Sequence, residues 1–166
     1  MARTTIYGHV SRALDFYNKP DVFFGIGHSE PWEDEYNPPV PEERDIIEDL
    51  LAMKKVESKF LVYPSDDGEL SFQGTKWKIS SPEKAVEDGA KWVYLMAKLG
   101  YSEIDTSISF RQVGVYSGVQ HTAGEGAYVL NPSDITDTGI LEIIDNRKAV
   151  YREPTQQEQL ILIISF

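Results

Sequence analysis

The sequence predicts a β-dominated α+β fold, a layered antiparallel β-sandwich with two flanking helices. Three observations point there. The second half of the chain is a series of short apolar runs of strand length separated by polar turns. Helical periodicity is confined to two segments, 5–18 and 42–53. The last run, Leu160-Ile161-Leu162-Ile163-Ile164, is apolar at every position, whereas a strand on a one-sided sheet would alternate. That strand is therefore sandwiched between two layers or covered by another chain. At 166 residues, one domain spanning 1–166 is expected, large enough to bury its own core.

The elements follow in order. Thr4 or Thr5 can cap the first helix, and Ile6, Val10, Leu14 and Tyr17 fall on one face. Asn18-Lys19-Pro20 ends it, because the residue before a proline avoids helical backbone. Val22 to Ile26 reads as a short strand bounded by Asp21 and Gly27. Residues 28–41 hold four prolines, four acids, Trp32 and Tyr36, and read as an extended interaction arm. A second helix starts near Glu42, with Glu42, Glu43 and Asp45 where the helix dipole favours anions and an apolar stripe of Ile46, Ile47, Leu50 and Leu51. Phe60 to Tyr63 is a strand ended by Pro64. Asp66-Asp67-Gly68 is a turn, with Leu70 to Ile79 as the returning strand. Ser81-Pro82-Glu83 caps a helical turn up to Asp88. Trp92 to Met96 has the length of a strand, and a short buried helix would read the same. Ile108 to Tyr116 alternates, with a one-residue slip at Arg111-Gln112 that predicts a β-bulge. Ala127 to Leu130 is a short strand and Asn131 to Gly139 a polar loop. Ile140 to Ile144, a turn at Asp145-Asn146-Arg147, Ala149 to Tyr151 and Leu160 to Ile164 then read as a meander closing on the C-terminus.

Composition excludes several functions. Sixteen Lys and Arg face 27 Asp and Glu, a net charge of −11. Phosphate neutralisation needs clustered cations, so neither nucleic acid nor an anionic membrane surface is an expected partner. No apolar run reaches the ~20 residues of a membrane span, and Met1 to Val10 lacks the apolar core of a signal peptide. The chain has no cysteine, so thiol nucleophiles, disulfides and Cys-based metal sites are excluded.

The possible chemical constellations are weak. His28, Glu30, Glu33, Asp34 and Glu35 share one loop, with His121 and Glu125 in another. A small metal-dependent hydrolase using His28, Glu30 and His121 is one alternative reading, but the spacing matches neither a HExxH helix nor an EF-hand loop. Gly25-Ile26-Gly27 lacks the third glycine and the helix of a phosphate loop. Asp66-Asp67-Gly68 is more economically a turn than a calcium ligand. No catalytic, metal-binding or cofactor-binding residue is assigned, and no cofactor is expected. A non-catalytic ligand-binding β-domain is the second alternative. The arm is the better clue. Prolines hold it extended at low entropic cost, and Trp and Tyr carry interface energy more often than other residues. It either docks on a neighbour or folds back to cap its own core with Trp32, and both can hold together.

Several strings resemble a known family. Leu14-Asp15-Phe16-Tyr17-Asn18, Val22 to Gly27 and His28-Ser29-Glu30-Pro31-Trp32, followed by the acidic and proline-rich arm, are similar to the N-terminal region of the baseplate wedge protein of contractile-tailed bacteriophages, the gene 8 product family. Phe110-Arg111-Gln112 before a strand, Asn146-Arg147, Gln156-Gln157-Glu158 and the apolar run from Leu160 to Phe166 continue the likeness collinearly. The chain resembles a short version lacking the large middle insertion, and the match is vague over 57–90. The resemblance implies a structural, non-enzymatic subunit of the virion tail baseplate, assembled in the host cytoplasm. It implies a homodimer, built into wedges beside other tail proteins. The expected interface residues are Trp32, Tyr36, Pro38 and Pro39 of the arm, with Leu160, Leu162, Ile164 and Phe166 of the terminal strand.

Overall fold

A computed structural model describes all residues, 1–166. Strands account for 43% of the chain and helices for 13%, so the β-dominated α+β class holds. The elements run α1 (Ile6–Tyr17), β1 (Phe23–Gly27), β2 (Ala52–Lys55), β3 (Ser58–Pro64), β4 (Leu70–Phe72), β5 (Thr75–Ser80), α2 (Ala85–Asp88), β6 (Trp92–Leu99), β7 (Ile108–Ser117), β8 (Gln120–His121), β9 (Val129–Leu130), β10 (Ile135–Asp137), β11 (Ile140–Arg152) and β12 (Glu158–Ser165). No helix is long and apolar enough to cross a membrane. The chain divides into two compact units, each made of non-contiguous segments.

The first unit comprises Met1–Lys19, Glu57–Met96 and Ile161–Phe166. Thr5 caps α1 by accepting from the Gly8 amide, and the Asn18 amide closes the far end on the Leu14 carbonyl. The buried face is Val10, Ala13 and Phe16, one position round from the predicted stripe, and Ile6 at its start is exposed. Phe166 packs on Phe16 with ring centroids 5.4 Å apart. The sheet of this unit has the order β12-β6-β3-β5-β4. Residues 70–79 are two strands, not one. Gln73 (φ 48°) and Gly74 (φ 79°) make a tight turn of the kind that needs left-handed backbone, and β5 turns back onto both β4 and β3. Lys78 bonds Asp67 at 2.8 Å, so the Asp66-Asp67-Gly68 acids serve a turn.

The second unit comprises Pro20–Val56 and Ala97–Leu160. Its five-stranded sheet has the order β11-β7-β1-β2-β9, and β10 pairs β8 beside it. Every residue of β1 is buried, as is β7 from Phe110 onward. Gly25 and Gly27 are packing glycines. A Cβ at Gly25 would lie 2.6 Å from the Tyr116 ring, and one at Gly27 would lie 2.6 Å from the Glu48 carbonyl oxygen. Phe23, Ile47, Met53, Tyr116, Val119 and Leu130 form the core.

Three expectations change here. The predicted helix at 42–53 is absent. Residues 46–51 are irregular and 52–55 are a strand paired with β1. Ile47 is buried while its neighbour Ile46 is 67% exposed, so the stripe serves two surfaces instead of one helix face. The predicted turn at Asp145-Asn146-Arg147 lies inside one strand, β11, which pairs β7 along its length. The bulge belongs to β11 and not to Arg111-Gln112. Asn146 faces Gln112 and Val150 faces Phe110, so three residues of β11 oppose the single Arg111. There is consequently no closing meander, because β11 and β12 lie in different sheets.

Candidate functional site

Between β1 and β2 the chain makes a long excursion, far beyond the usual loop length. Such loops are commonly functional. Residues 28–49 form a lobe with a closed neck. The His28 amide donates to the Glu48 carbonyl at 2.6 Å and the Ser29 hydroxyl to the Asp49 carboxylate at 2.5 Å. Both neck residues are left-handed, His28 at φ 59° and Asp49 at φ 50°. This conformation costs a non-glycine residue about 1–2 kcal/mol, so the surrounding contacts must hold it.

Those contacts converge from β7 and β11. Arg111 on β7 is 2% exposed. Its Nε donates to both Glu35 carboxylate oxygens at 2.8 and 3.0 Å, and its Nη2 to one of them at 2.6 Å. Its Nη1 donates to the Ser29 carbonyl at 2.5 Å. A planar guanidinium suits this forked contact, and a lysine would not. The hydrogen bonds from Arg111, assisted by its charge, hold the Glu35 carboxyl below the usual carboxylate range against an opposing desolvation. Gln112, the next residue, accepts from the Glu48 amide at 2.8 Å and donates to the Asn146 side chain at 3.0 Å. Asn146 donates in turn to the Pro39 carbonyl at 3.0 Å. The bulge removes residues 147–149 from the ladder, and the Arg147 carbonyl instead accepts from the Trp32 indole at 2.9 Å. The ring centroids of Trp32 and His28 lie 3.8 Å apart. Ile47 drops into the core.

Within the lobe, Asp34 accepts from the Asn37 side chain at 2.8 Å and the Tyr36 amide at 2.9 Å. These bonds, the Asn37 side chain first, hold the Asp34 carboxyl below the usual carboxylate range and fix a turn that leaves Tyr36 80% exposed. Val40 and Ile46 are 86% and 67% exposed. The lobe carries nine carboxylates and one cation, Arg44.

The predicted interface residues thus separate. Trp32 is half-buried and turned inward, Tyr36 points outward, Pro38 is half-buried, and Pro39 is exposed with its carbonyl tied down. Leu160, Leu162 and Ile164 are 0, 6 and 7% exposed in the single chain, so they are core residues and present no surface. Phe166 is half-buried against Phe16. The alternative hydrolytic set does not assemble. His121 sits beside Phe23 at one end of β1 and His28 follows its other end. Each histidine Nδ1 bonds a nearby backbone carbonyl, that of Glu30 or Ala123. Arg111, Gln112, Asn146 and Ile47 were not foreseen as site residues. The signals were present: the pattern slip falls on Arg111-Gln112, and Phe110-Arg111-Gln112 and Asn146-Arg147 carry the family likeness.

Comparison with known proteins agrees with that likeness. The whole chain, residues 1–166, matches the family model described as "Baseplate wedge 3 tail fiber network component". The chain is also similar to "Virion protein 3" of Enterococcus phage phiEF24C, with 31% identity over 156 residues covering 89% of this chain and 86% of that protein.

Proposed function

From the premise that the chain belongs to the baseplate wedge 3 tail fiber network component family, and is thus a structural protein of a phage virion tail, we propose that it is a rigid, non-enzymatic connector of the baseplate wedge. The lobe at 28–49 is its docking element. The observation that carries this reading is the anchoring of the lobe. An arm of prolines, aromatics and acids is fixed at its neck, at Arg111 and at the β11 bulge, so the entropy of ordering it is lost on folding and not on docking. The chain would assemble from the host cytoplasm into the tail beside other wedge proteins. Self-association as a homodimer would use the first unit, where Ile161 and Ile163 remain half-exposed on β12 while the other face of that strand is core.

The test is co-sedimentation of the purified full chain with each of the other baseplate proteins of its phage. A stable complex with at least one of them is the expected outcome. Failure to bind any, together with absence from purified tails, would sink the reading.

A further inference from the structure

We infer that the outer surface of the lobe, with Tyr36, Val40 and Ile46 as its apolar contacts, docks into an apolar groove rimmed by Lys and Arg on a different tail protein. This rests on the connector reading above and adds the chemistry of the partner. Three large apolar side chains on one lobe are 80%, 86% and 67% exposed. They project from a framework whose inward groups are all engaged: Trp32 on Arg147, Glu35 on Arg111, Asn146 on Pro39 and Ile47 in the core. Trp32 is therefore a positioning residue, and the contact surface consists of what it holds out. Docking surfaces are enriched in such exposed apolar and aromatic side chains.

Charge selects the occupant. The lobe has a net charge of −8, and like charges across an interface are strongly disfavoured. A second copy of this chain would bring the same −8 lobe within a −11 chain, so it is a poor partner here. A groove with a cationic rim satisfies both the carboxylates and the apolar side chains. Tyr36 already has the Lys148 ammonium 5.9 Å from its ring centroid, which shows that the lobe's aromatic tolerates a cation alongside. Rim charges steer association and are screened by salt, so binding through this surface should slow as salt rises.

The experiment places p-benzoylphenylalanine at position 36 of the full chain and irradiates assembled tails. Crosslinks to a different tail protein, within a Lys/Arg-rich segment, are expected. In parallel, a Tyr36→Ala/Val40→Ala/Ile46→Ala variant should bind that protein about 30-fold more weakly, with an unchanged melting temperature. Crosslinks to a second copy or to an acidic segment would overturn the inference, as would full-strength binding by the triple variant. If the crosslinkable chain enters no tails while the unmodified chain does, the surface is essential and the inference stands. If neither enters, the connector reading falls and takes this one with it.

Discussion

The two compact units each hold a five-stranded antiparallel sheet, yet they differ sharply in charge. The first carries eight Lys and Arg against eight Asp and Glu, the second eight against nineteen. The whole surplus of −11 therefore belongs to the second unit. Their edges differ as well. In the second unit the edge strand β11 is broken by two register shifts and carries Glu142, Asp145, Arg147, Lys148 and Arg152, devices that discourage edge-to-edge pairing. In the first unit the part of the edge strand β12 that it holds, Ile161 to Ser165, has no charged or proline residue. The contrast teaches that net charge is a local property here. On the proposed docking reading, the acidic surplus of the second unit would disfavour its own copy and favour a cationic partner, whereas the neutral unit carries no such charge barrier.

The largest effect is expected for Arg111→Met, which removes a buried guanidinium and its bonds to Glu35 and Ser29. Denaturant unfolding should show a loss of about 3 kcal/mol, with the lobe becoming protease-sensitive. An unchanged midpoint would mean that the lobe is held elsewhere. Trp32→Ala comes next. Loss of a half-buried indole and its bond to the Arg147 carbonyl should cost about 2 kcal/mol by the same assay, because Trp32 is an internal anchor. A loss of partner binding at unchanged stability would return it to the outer surface.

Acid gives a smaller, graded effect. Glu35 is held below its ordinary value of 4.5, so the stability it contributes is complete above that value. It is lost as pH falls through the depressed value, when the unfolded chain has already taken up the proton. Hydrogen exchange in residues 28–49 should accelerate over that interval, ahead of exchange in β1 and β7. The smallest effect is expected in the neutral unit. Lys78→Ala removes the ion pair that, chiefly through its hydrogen bond, draws Asp67 down to about 2. Because the pair is solvent-exposed, the melting temperature should not move measurably. A clear shift would show that exposed charges matter in both units alike.

The first helix, β1, β3 and β7 are legible from local signals, because caps, prolines and alternation act within a few residues. Three features stayed hidden for non-local reasons. The helical spacing of Ile46, Ile47, Leu50 and Leu51 is outweighed because Met53 and Lys54 pair with β1 and Ile47 is needed in the core. The turn at Gln73-Gly74 has a weaker signature than Asn-Gly, so residues 70–79 read as one strand where two exist. At the bulge, the disruption was visible at Arg111-Gln112, but alternation in one strand cannot reveal which of two partners holds the extra residues. The site shows the same division. The arm was legible from its prolines and aromatics, but the inward aim of Trp32 depends on the Arg147 carbonyl, 115 residues away.

The closed neck of the lobe has one more consequence. β1 and β2 pair from Phe23 with Lys55 to Ile26 with Ala52, and His28 meets Glu48 directly beyond that ladder. The hairpin is thus complete at its base whatever hangs from it, and lengthening a flexible loop costs only about 0.6 kcal/mol per doubling. The lobe is built like a cassette: its tip can be exchanged or enlarged while the scaffold beneath keeps its register. Grafting a foreign tip between residues 37 and 45, with Trp32, Glu35 and Ile47 retained, should give a chain that folds as this one does.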